Sequence, residues 1–504
     1  MDEIFTALDV PGLKQLPGEL GAFSVESLFV RYSFSLDELI GAFRTLGTTD
    51  RLPEPLKTVV HETTHLFHTT ATPFGFLIYA LRRFQASVVG DTINALRLRH
   101  QVKVRYPLID FLLQLPRGIQ AHVGPQIRAW YEAELFILMA LGNPNVWLEQ
   151  AAKNPILMGL PNPEFFGRIQ RYLAMHYRWQ ADNAAFLAGQ PTEEAAPLPF
   201  ASFGSDQPEL VGSKKDYIDL LFLQSMANDA NMIAVTESAG GVAEYWGAER
   251  LSCGEIFDQL HGTFAARGVV SGFTRQALGA LHNARKPRDI VLSYLALCDL
   301  SLFGPVLPQH KHLRVGRKVR LDELFPFLRF RELSAAAHDV RPMESLKDYE
   351  RYTSELCRAL GWTPPGEIVR LADKDYIHID GDAHEFMYLK ACAYRAEWPW
   401  IFQDYSFLLA ANNDLQRQFL MDFNFPVIQY RDQTVYHRDK VLLEGVVRWY
   451  LLRSALRAIL LRNRIALQMP YRPKNQQEIA FLRETLLRDL KMSTGLSISD
   501  LTIT

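Results

Sequence analysis

Apolar residues recur every three or four positions over long stretches of this 504-residue chain. This spacing is typical of helices that turn one apolar side toward a core. Alternation of the kind found in strands is scarce, and is clearest at residues 22–35 (AFSVESLFVRYSFS) and 373–382 (DKDYIHIDGD). The sequence therefore predicts a mainly α fold of the α+β class with a small β element. The best helical patterns are residues 234–251, 446–467 and 475–492.

Two stretches interrupt the helical pattern. Residues 188–216 are rich in Pro, Gly, Ser and acidic residues and lack periodicity, which predicts a long loop or an insertion. A weaker break lies at residues 361–367 (GWTPPGE). We expect residues 1–300 to form one region that includes the insertion, and residues 301–504 to form a mostly helical C-terminal region.

Charge and cysteine content narrow the class of protein. The net charge is −2, which gives no general attraction for nucleic acid or for an anionic membrane, and the basic stretches are typical of solvated helix faces. The four cysteines are far apart and form no CxxC pair, which suits a reducing compartment. The N-terminus has no pattern of a secretory signal. We expect a cytoplasmic protein without nucleic-acid or membrane partners.

The most apolar segment is IVLSYLALCDLSLFGPVL, residues 290–307. It contains Asp299 and Pro305, which a membrane-spanning helix rarely carries. The sequence therefore predicts a buried helix at this position rather than a membrane span.

One short stretch carries recognisable chemistry, VVHETTHLFHTT at residues 59–70. Prolines at positions 53 and 55 suit the first turn of a helix, which we expect to end near Thr70. Thr72 and Pro73 then have the pattern of an N-cap and a first-turn proline, which predicts that a second helix begins there.

Within the predicted helix, His61 and His65 are four residues apart and project from the same face, one turn apart. Two imidazoles so placed can bind one metal ion. Glu62 follows His61 directly and points beside the ion rather than at it. Its carboxylate can therefore hold a water molecule next to the ion and accept its proton.

The residues His61-Glu62-Thr63-Thr64-His65 resemble the signature of the zincin metallopeptidases. The resemblance implies a zincin-like helical core, a catalytic Zn²⁺ with His61 and His65 as ligands, and Glu62 as general base. It also implies peptide or protein substrates. It covers this helix and at most one further helix.

A catalytic zinc site needs a third protein ligand. The metzincin pattern requires a glycine and a histidine where this chain has His68 and Ala71, so that subclass is excluded. A gluzincin-like arrangement, with a glutamate from a later helix, remains. No glutamate stands at the thermolysin-like spacing about two dozen residues on.

The strongest candidate for the third ligand is Glu237, which lies among small residues at positions 238–241. Glycine weakens a helix, so its presence suggests that another backbone approaches closely. Glu244 is seven residues on, shares the helix face, and is a candidate for supporting a ligand or contacting substrate. The other acids that we consider are Glu132, Glu134 and Glu444.

Further polar residues have candidate roles at the site. His68 lies on the same side of the helix as His61 and His65, and we expect it to line the substrate cleft. A donor that stabilises the oxyanion is expected among Tyr245, His384 and Tyr388, between which the sequence does not choose.

The sequence thus predicts a zinc-dependent metallohydrolase, most specifically a peptidase of restricted substrate range. His61, His65 and Glu237 are the expected ligands, and Glu62 is the expected catalytic base. The alternative is a non-catalytic helical scaffold that retains the motif without its chemistry. The sequence leaves the oligomeric state open.

Overall fold

A computed structural model describes the chain at residues 20–45, 52–141, 209–211, 232–246, 251–266, 272–304, 318–320, 326–375, 383–409, 414–436, 440–498 and 501–503. Most of these residues are helical and the strands are short, which confirms the predicted mainly α fold. In chain order the described α-helices are α1 Leu36–Arg44, α2 Glu54–Thr70, α3 Pro73–Asn94, α4 Leu108–Leu113, α5 Arg117–Leu141, α6 Met232–Ala243, α7 Cys253–Ala266, α8 Gly272–Ala280, α9 Pro287–Ser301, α10 Pro326–Ala336, α11 Tyr349–Leu360, α12 Pro365–Asp375, α13 Ala383–Glu397, α14 Ser406–Leu409, α15 Asp414–Asp422, α16 Lys440–Leu461 and α17 Gln476–Thr494.

The described strands form small sheets of two to four strands. The largest has the order β1-β2-β5-β6, in which β1 and β2 are antiparallel, β2 and β5 are parallel, and β5 and β6 form a hairpin. Strands β3 and β4 pair in parallel, as do β7 and β8. Their bounds are β1 Gly21–Phe23, β2 Val30–Tyr32, β3 Glu209–Val211, β4 Lys318–Arg320, β5 Val427–Gln429, β6 Thr434–Tyr436, β7 Ala466–Leu467 and β8 Thr502–Ile503.

The chain divides into two compact units, each built from segments that are not adjacent in sequence. Unit 1 contains Met1–Ser33, Ile78–Ile137 and Phe425–Thr504, and unit 2 contains Phe34–Leu77 and Leu138–Asn424. The four-stranded sheet belongs to unit 1, and the helices that carry the predicted metal ligands belong to unit 2. The predicted division at residue 300 follows chain order and lies within α9; it stays a prediction about domains.

Local signals in the sequence account for several helix ends. The motif helix α2 ends at Thr70, as predicted, and the Thr72 hydroxyl accepts a hydrogen bond from the Gly75 N–H at 3.1 Å, which caps α3. Helix α11 ends at Gly361, whose φ of 68° places it in the left-handed region that glycine adopts without strain. The predicted break at residues 361–367 is therefore present as a turn at residues 361–364, whereas residues 365–367 already belong to α12.

The predicted buried helix in residues 290–307 is present as α9, and every residue from Ile290 to Ser301 is buried. Within the described residues, no helix combines the length and apolarity that crossing a bilayer would require. All four cysteines are free thiols.

Two predictions concern segments that lie largely outside the described residues: the strand at residues 373–382 and the loop at residues 188–216. The strand predicted at residues 373–382 is wrong for its first three residues, which end α12, because the helical pattern that begins at Pro365 extends through them. Its remainder lies outside the described residues. In the predicted loop at 188–216 the described residues, Glu209–Val211, form strand β3.

Candidate metal centre

The motif helix α2 is buried on almost all sides. The expected apolar side includes the fully buried Val60, but the polar side is also buried: His61 and Glu62 are only 3% and 5% exposed. On one side, Phe67 packs against Phe402 and Tyr405, with ring centroids 5.1 and 6.2 Å apart. Polar side chains buried in this way need partners inside the protein.

Helix α6 supplies those partners, because it packs along the motif helix. A Cβ atom at Gly240 would lie 2.6 Å from the His61 ring, closer than real side chains approach. Only glycine therefore lets the two helices come this close at this point. The small residues around Glu237 have the role that the sequence predicted, to permit close approach of another element.

Three candidate ligands meet between these helices. His61 Nε2 and His65 Nε2 are 3.1 Å apart. Glu237 places one carboxylate oxygen 3.3 Å from His61 Nε2 and the other 3.3 Å from His65 Nε2. Among the described residues, this is the group of histidines, cysteines and acids whose atoms lie close enough together to hold one metal ion.

The tautomer of His61 follows from its second contact. Its Nδ1 lies 3.0 Å from a carboxylate oxygen of Glu244, which is half-buried. An ionised carboxylate only accepts hydrogen bonds, so Nδ1 must carry the proton and donate it. When this ring is neutral, its Nε2 carries a lone pair on the side of His65 and Glu237. This is the tautomer that a metal ligand binding through Nε2 requires.

The charge of Glu237 suits the same role. Burial disfavours its ionised form, but in the protein without a metal the charge of His65 and hydrogen bonds from His61 and His65 outweigh burial, so the pKa of this carboxyl lies well below its usual range. Glu237 is therefore an anion at neutral pH. The Glu237 carboxylate and the two imidazoles surround one point, which is an environment that favours a cation, and Glu244 adds a second carboxylate on the far side of the His61 ring.

The spacing of the donor atoms also fits a metal. Two ligand atoms that are each about 2.0–2.1 Å from a tetrahedral zinc ion are about 3.3 Å apart. The two histidine nitrogens are 3.1 Å apart, close to this value, and each lies 3.3 Å from a different oxygen of the Glu237 carboxylate. The side chain of Glu237 is 32% exposed, so the cluster is open to solvent on the side of α6. Two nitrogens and one carboxylate with an accessible side is a donor set that zinc accepts.

The other candidate third ligands have other surroundings. Glu134 lies in unit 1, and its buried carboxylate is bound by Arg82, Gln85 and Arg457. Glu444 is exposed on α16. The side chain of Glu132 lies outside the described residues. Glu244 contacts His61 through Nδ1, so it supports that ring rather than sharing the space at its Nε2.

The prediction that His68 lines a cleft is wrong, because the side chain is 5% exposed. Burial lowers the pKa of His68 to about 3, so the ring is neutral. Its Nδ1 has no hydrogen-bond partner within the part of the chain that the structure describes. The ring packs inside unit 2 and is not one of the clustered ligands.

A buried ion pair, which no local pattern in the sequence predicts, fixes the end of the motif helix. Arg395 donates to both carboxylate oxygens of Asp299 at 2.9 and 2.7 Å, and its Nε donates to the Ala71 carbonyl at 3.2 Å. The Tyr349 hydroxyl also donates to Asp299. Asp299 within an apolar run was the available signal, since an acid in a buried helix needs a partner.

The predicted oxyanion donors lie in different surroundings. The Tyr245 hydroxyl is 3.0 Å from the Thr263 hydroxyl. Tyr388 is buried and stacks on Phe76, with ring centroids 4.7 Å apart, and His384 is also buried. The choice among the three stays open.

Comparison of the chain with protein-family models, with curated proteins and with solved structures gave no match. The cluster formed by His61, His65 and Glu237 is therefore the feature from which a function can be inferred.

Proposed function

We propose that this protein is a zinc-dependent hydrolase that cleaves peptide bonds. The observation that carries the proposal is the meeting of His61 Nε2, His65 Nε2 and the Glu237 carboxylate, from two separate helices, at the distances of a metal site. Support comes from Glu244, which holds His61 in the required tautomer. A structural histidine pair would not need this arrangement.

A Zn²⁺ ion held by these three ligands would act as a Lewis acid toward the scissile carbonyl and lower the pKa of the attacking water. Glu62 lies on the same turn as His61 and is buried. Its carboxylate accepts a proton as the water oxygen bonds to the carbonyl carbon. It then delivers that proton to the amide nitrogen as the C–N bond breaks.

The cluster's rigidity is part of the proposed mechanism. Gly240 keeps α6 against the motif helix, and Arg395 anchors the carbonyl end of that helix. Catalytic groups need to stay within a fraction of an ångström of their productive positions. We therefore assign Gly240, Glu244 and Arg395 to positioning, and Glu62 to the chemistry.

The substrate that we propose is a peptide or a protein from a restricted set, and the proposed compartment is the cytoplasm. The free thiols suit a reducing environment. Fast cleavage of many unrelated denatured proteins would contradict the restricted range.

The test is metal content and peptide hydrolysis, measured on wild type, Glu62→Gln, His65→Ala and Glu237→Ala. We expect about one zinc per chain in wild type and in Glu62→Gln, and little zinc in the other two variants. Hydrolysis of a peptide library should fall by about 10²–10⁴-fold in Glu62→Gln. Glu484→Gln, an exposed glutamate of α17, is the matched control and should change neither quantity.

Two results would count against the proposal. Wild-type protein that takes up no zinc, even when metal is added during purification, would favour the non-catalytic scaffold. Full hydrolysis by Glu62→Gln would show that any activity arises elsewhere.

A further inference from the structure

The four-stranded sheet of unit 1 carries a cleft of about 490 Å³, a size that suits a small ligand. Residues from three separate chain segments line it: the end of β2, the β5-β6 hairpin, and the segment at residues 469–472. Three of them are arginines, Arg31, Arg431 and Arg472. None of the described lining residues is acidic.

The arginines are held on a rigid frame. Arg31 lies on β2 opposite Gln429 on β5, and the Gln429 side chain accepts a hydrogen bond from the Arg472 N–H at 3.3 Å. Tyr471 packs edge-on against Phe29, with ring centroids 5.3 Å apart. Prolines flank the Tyr471-Arg472 dipeptide on both sides and restrict its backbone. The convergence of the arginines is therefore built into the sheet and its neighbours.

The positive charges are close enough to affect one another. Burial and the charge of Arg472 both lower the pKa of Arg31. Arg431 and Arg472 are exposed, so the cleft presents two accessible guanidinium groups around a half-buried one. A bound anion would relieve the repulsion between these groups.

Two acids lie near the cleft, and neither is one of the residues that line it. Glu478 is occupied by other donors, because it accepts hydrogen bonds from the Tyr471 hydroxyl at 2.8 Å and the Lys474 N–H at 2.7 Å. Asp432 lies at the exposed tip of the β5-β6 hairpin, next to Arg431. Lys474 lies above the ring of Tyr436, two residues along the chain from Arg472.

We propose that this cleft binds a compact polyanion with two or more phosphate groups, either free pyrophosphate or the oligophosphate chain of a nucleotide. Guanidinium groups bind phosphate oxygens in pairs of parallel hydrogen bonds. Three guanidinium groups around one cleft suit a ligand that carries more negative charge than a single carboxylate. The cleft is also larger than one phosphate group needs, so a linked pair of phosphates fits it better than one alone.

Isothermal titration calorimetry at low salt tests the proposal, with pyrophosphate, ADP, orthophosphate and citrate as probes. We expect pyrophosphate or ADP to bind more tightly than orthophosphate and citrate. The tighter of the two tells whether the source is free oligophosphate or a nucleotide. Arg472→Ala and Arg31→Gln should each weaken binding by about tenfold or more.

Two controls locate the binding. Arg488→Ala removes an exposed arginine of α17 in the same unit and should leave the affinity unchanged. His65→Ala should also leave the affinity for pyrophosphate unchanged, because the cleft does not include His65. If pyrophosphate bound instead to a metal ion at the His61, His65 and Glu237 cluster, this variant would lose affinity. This control keeps a failure of the anion site separate from a failure of the proposed hydrolase.

Three results with these probes and variants would overturn the proposal. They are no pyrophosphate or ADP binding by wild type, an equal loss of affinity in Arg488→Ala and Arg472→Ala, and citrate binding as tight as that of pyrophosphate. Tighter binding of a single-stranded oligonucleotide through the same arginines would also overturn it, in favour of a nucleic-acid surface.

Discussion

Two glutamates in this protein, one buried and one partly exposed, each lie between two basic side chains, yet they are suited to different roles. In unit 1, Glu134 is bound by Arg82 and Arg457. In unit 2, Glu237 lies between His61 and His65. Arginine offers only donors and keeps its charge, so the Glu134 network is complete without any further ion. Neutral histidine offers a lone pair, so the Glu237 cluster can bind a cation.

The chemical identity of a carboxylate's partners helps to decide what the carboxylate can do. Both carboxyls have pKa values below their usual range, because nearby basic groups outweigh the cost of burial. A low pKa therefore does not separate a metal ligand from a structural acid. What separates them is whether the basic partners are histidines, which can offer a lone pair to a metal, or arginines, which cannot.

Replacing each of the two glutamates by alanine should give the largest effects, and the two variants should differ in opposite directions in stability and in zinc content. Glu134→Ala leaves Arg82 and Arg457 without this partner in a buried place, which should lower the free energy of unfolding by about 3–5 kcal/mol. Zinc content of the folded protein should stay as in wild type. Urea denaturation followed by circular dichroism, with zinc analysis of the same samples, measures both quantities.

Glu237→Ala should show the reverse pattern, with zinc lost. In the absence of metal, its stability should change less than that of Glu134→Ala, since histidine can become neutral and arginine cannot. Zinc loss in Glu134→Ala, or zinc retention in Glu237→Ala, would remove the distinction between the two clusters.

Close helix approach is the second feature that separates the clusters. Gly240→Ala should lower both zinc affinity and stability, the latter by about 1–3 kcal/mol, because the added methyl group overlaps the His61 ring. Gly262→Ala is the matched control, since its helix position has open space around it, and alanine is the better helix former. Thermal unfolding and zinc titration of the two variants would be compared. Equal effects would mean that the α6 contact is not required.

Features of this site that depend on residues close together in sequence could be predicted, and features that depend on contacts between distant segments could not. The helix that carries His61 and His65, its end at Thr70 and the cap at Thr72 follow from local spacing, and the structure agrees. The small residues around Glu237 indicated a close helix contact, and this contact is present at Gly240. These features depend on a few neighbouring residues, which a sequence displays directly.

Features that depend on packing were harder to predict. His68 lies on the polar side of a helix by its spacing, but further elements bury that side too, so it does not line a cleft. The Asp299–Arg395 pair joins residues about a hundred positions apart, and no local pattern connects them. The arginine cleft likewise gathers residues from opposite ends of the chain.

Removing the support of one ligand should have a smaller effect than removing the ligand. Glu244→Gln keeps the shape of the side chain but weakens the hydrogen bond that fixes the His61 tautomer. Zinc affinity should fall by about 10–100-fold, while stoichiometric binding persists at high zinc concentration. Competition with a zinc chelator measures the change. An unchanged affinity would mean that Glu244 does not orient His61.

The smallest predicted effect is a difference in acid sensitivity that involves Glu134 alone. Burial opposes its ionisation, but Arg82 and Arg457 outweigh burial, so its pKa in the folded protein is lower than its usual value of 4.5. A depressed carboxyl pKa stabilises the folded state above the usual value, and this contribution disappears as pH falls through the folded value. The wild type should therefore lose its stability advantage over Glu134→Gln as the solution is acidified below about pH 4.5. Urea denaturation at a series of pH values, with Glu484→Gln as the exposed control, measures the difference. An advantage that stays constant down to strongly acidic pH would show that the carboxylate charge of Glu134 does not hold the two arginines.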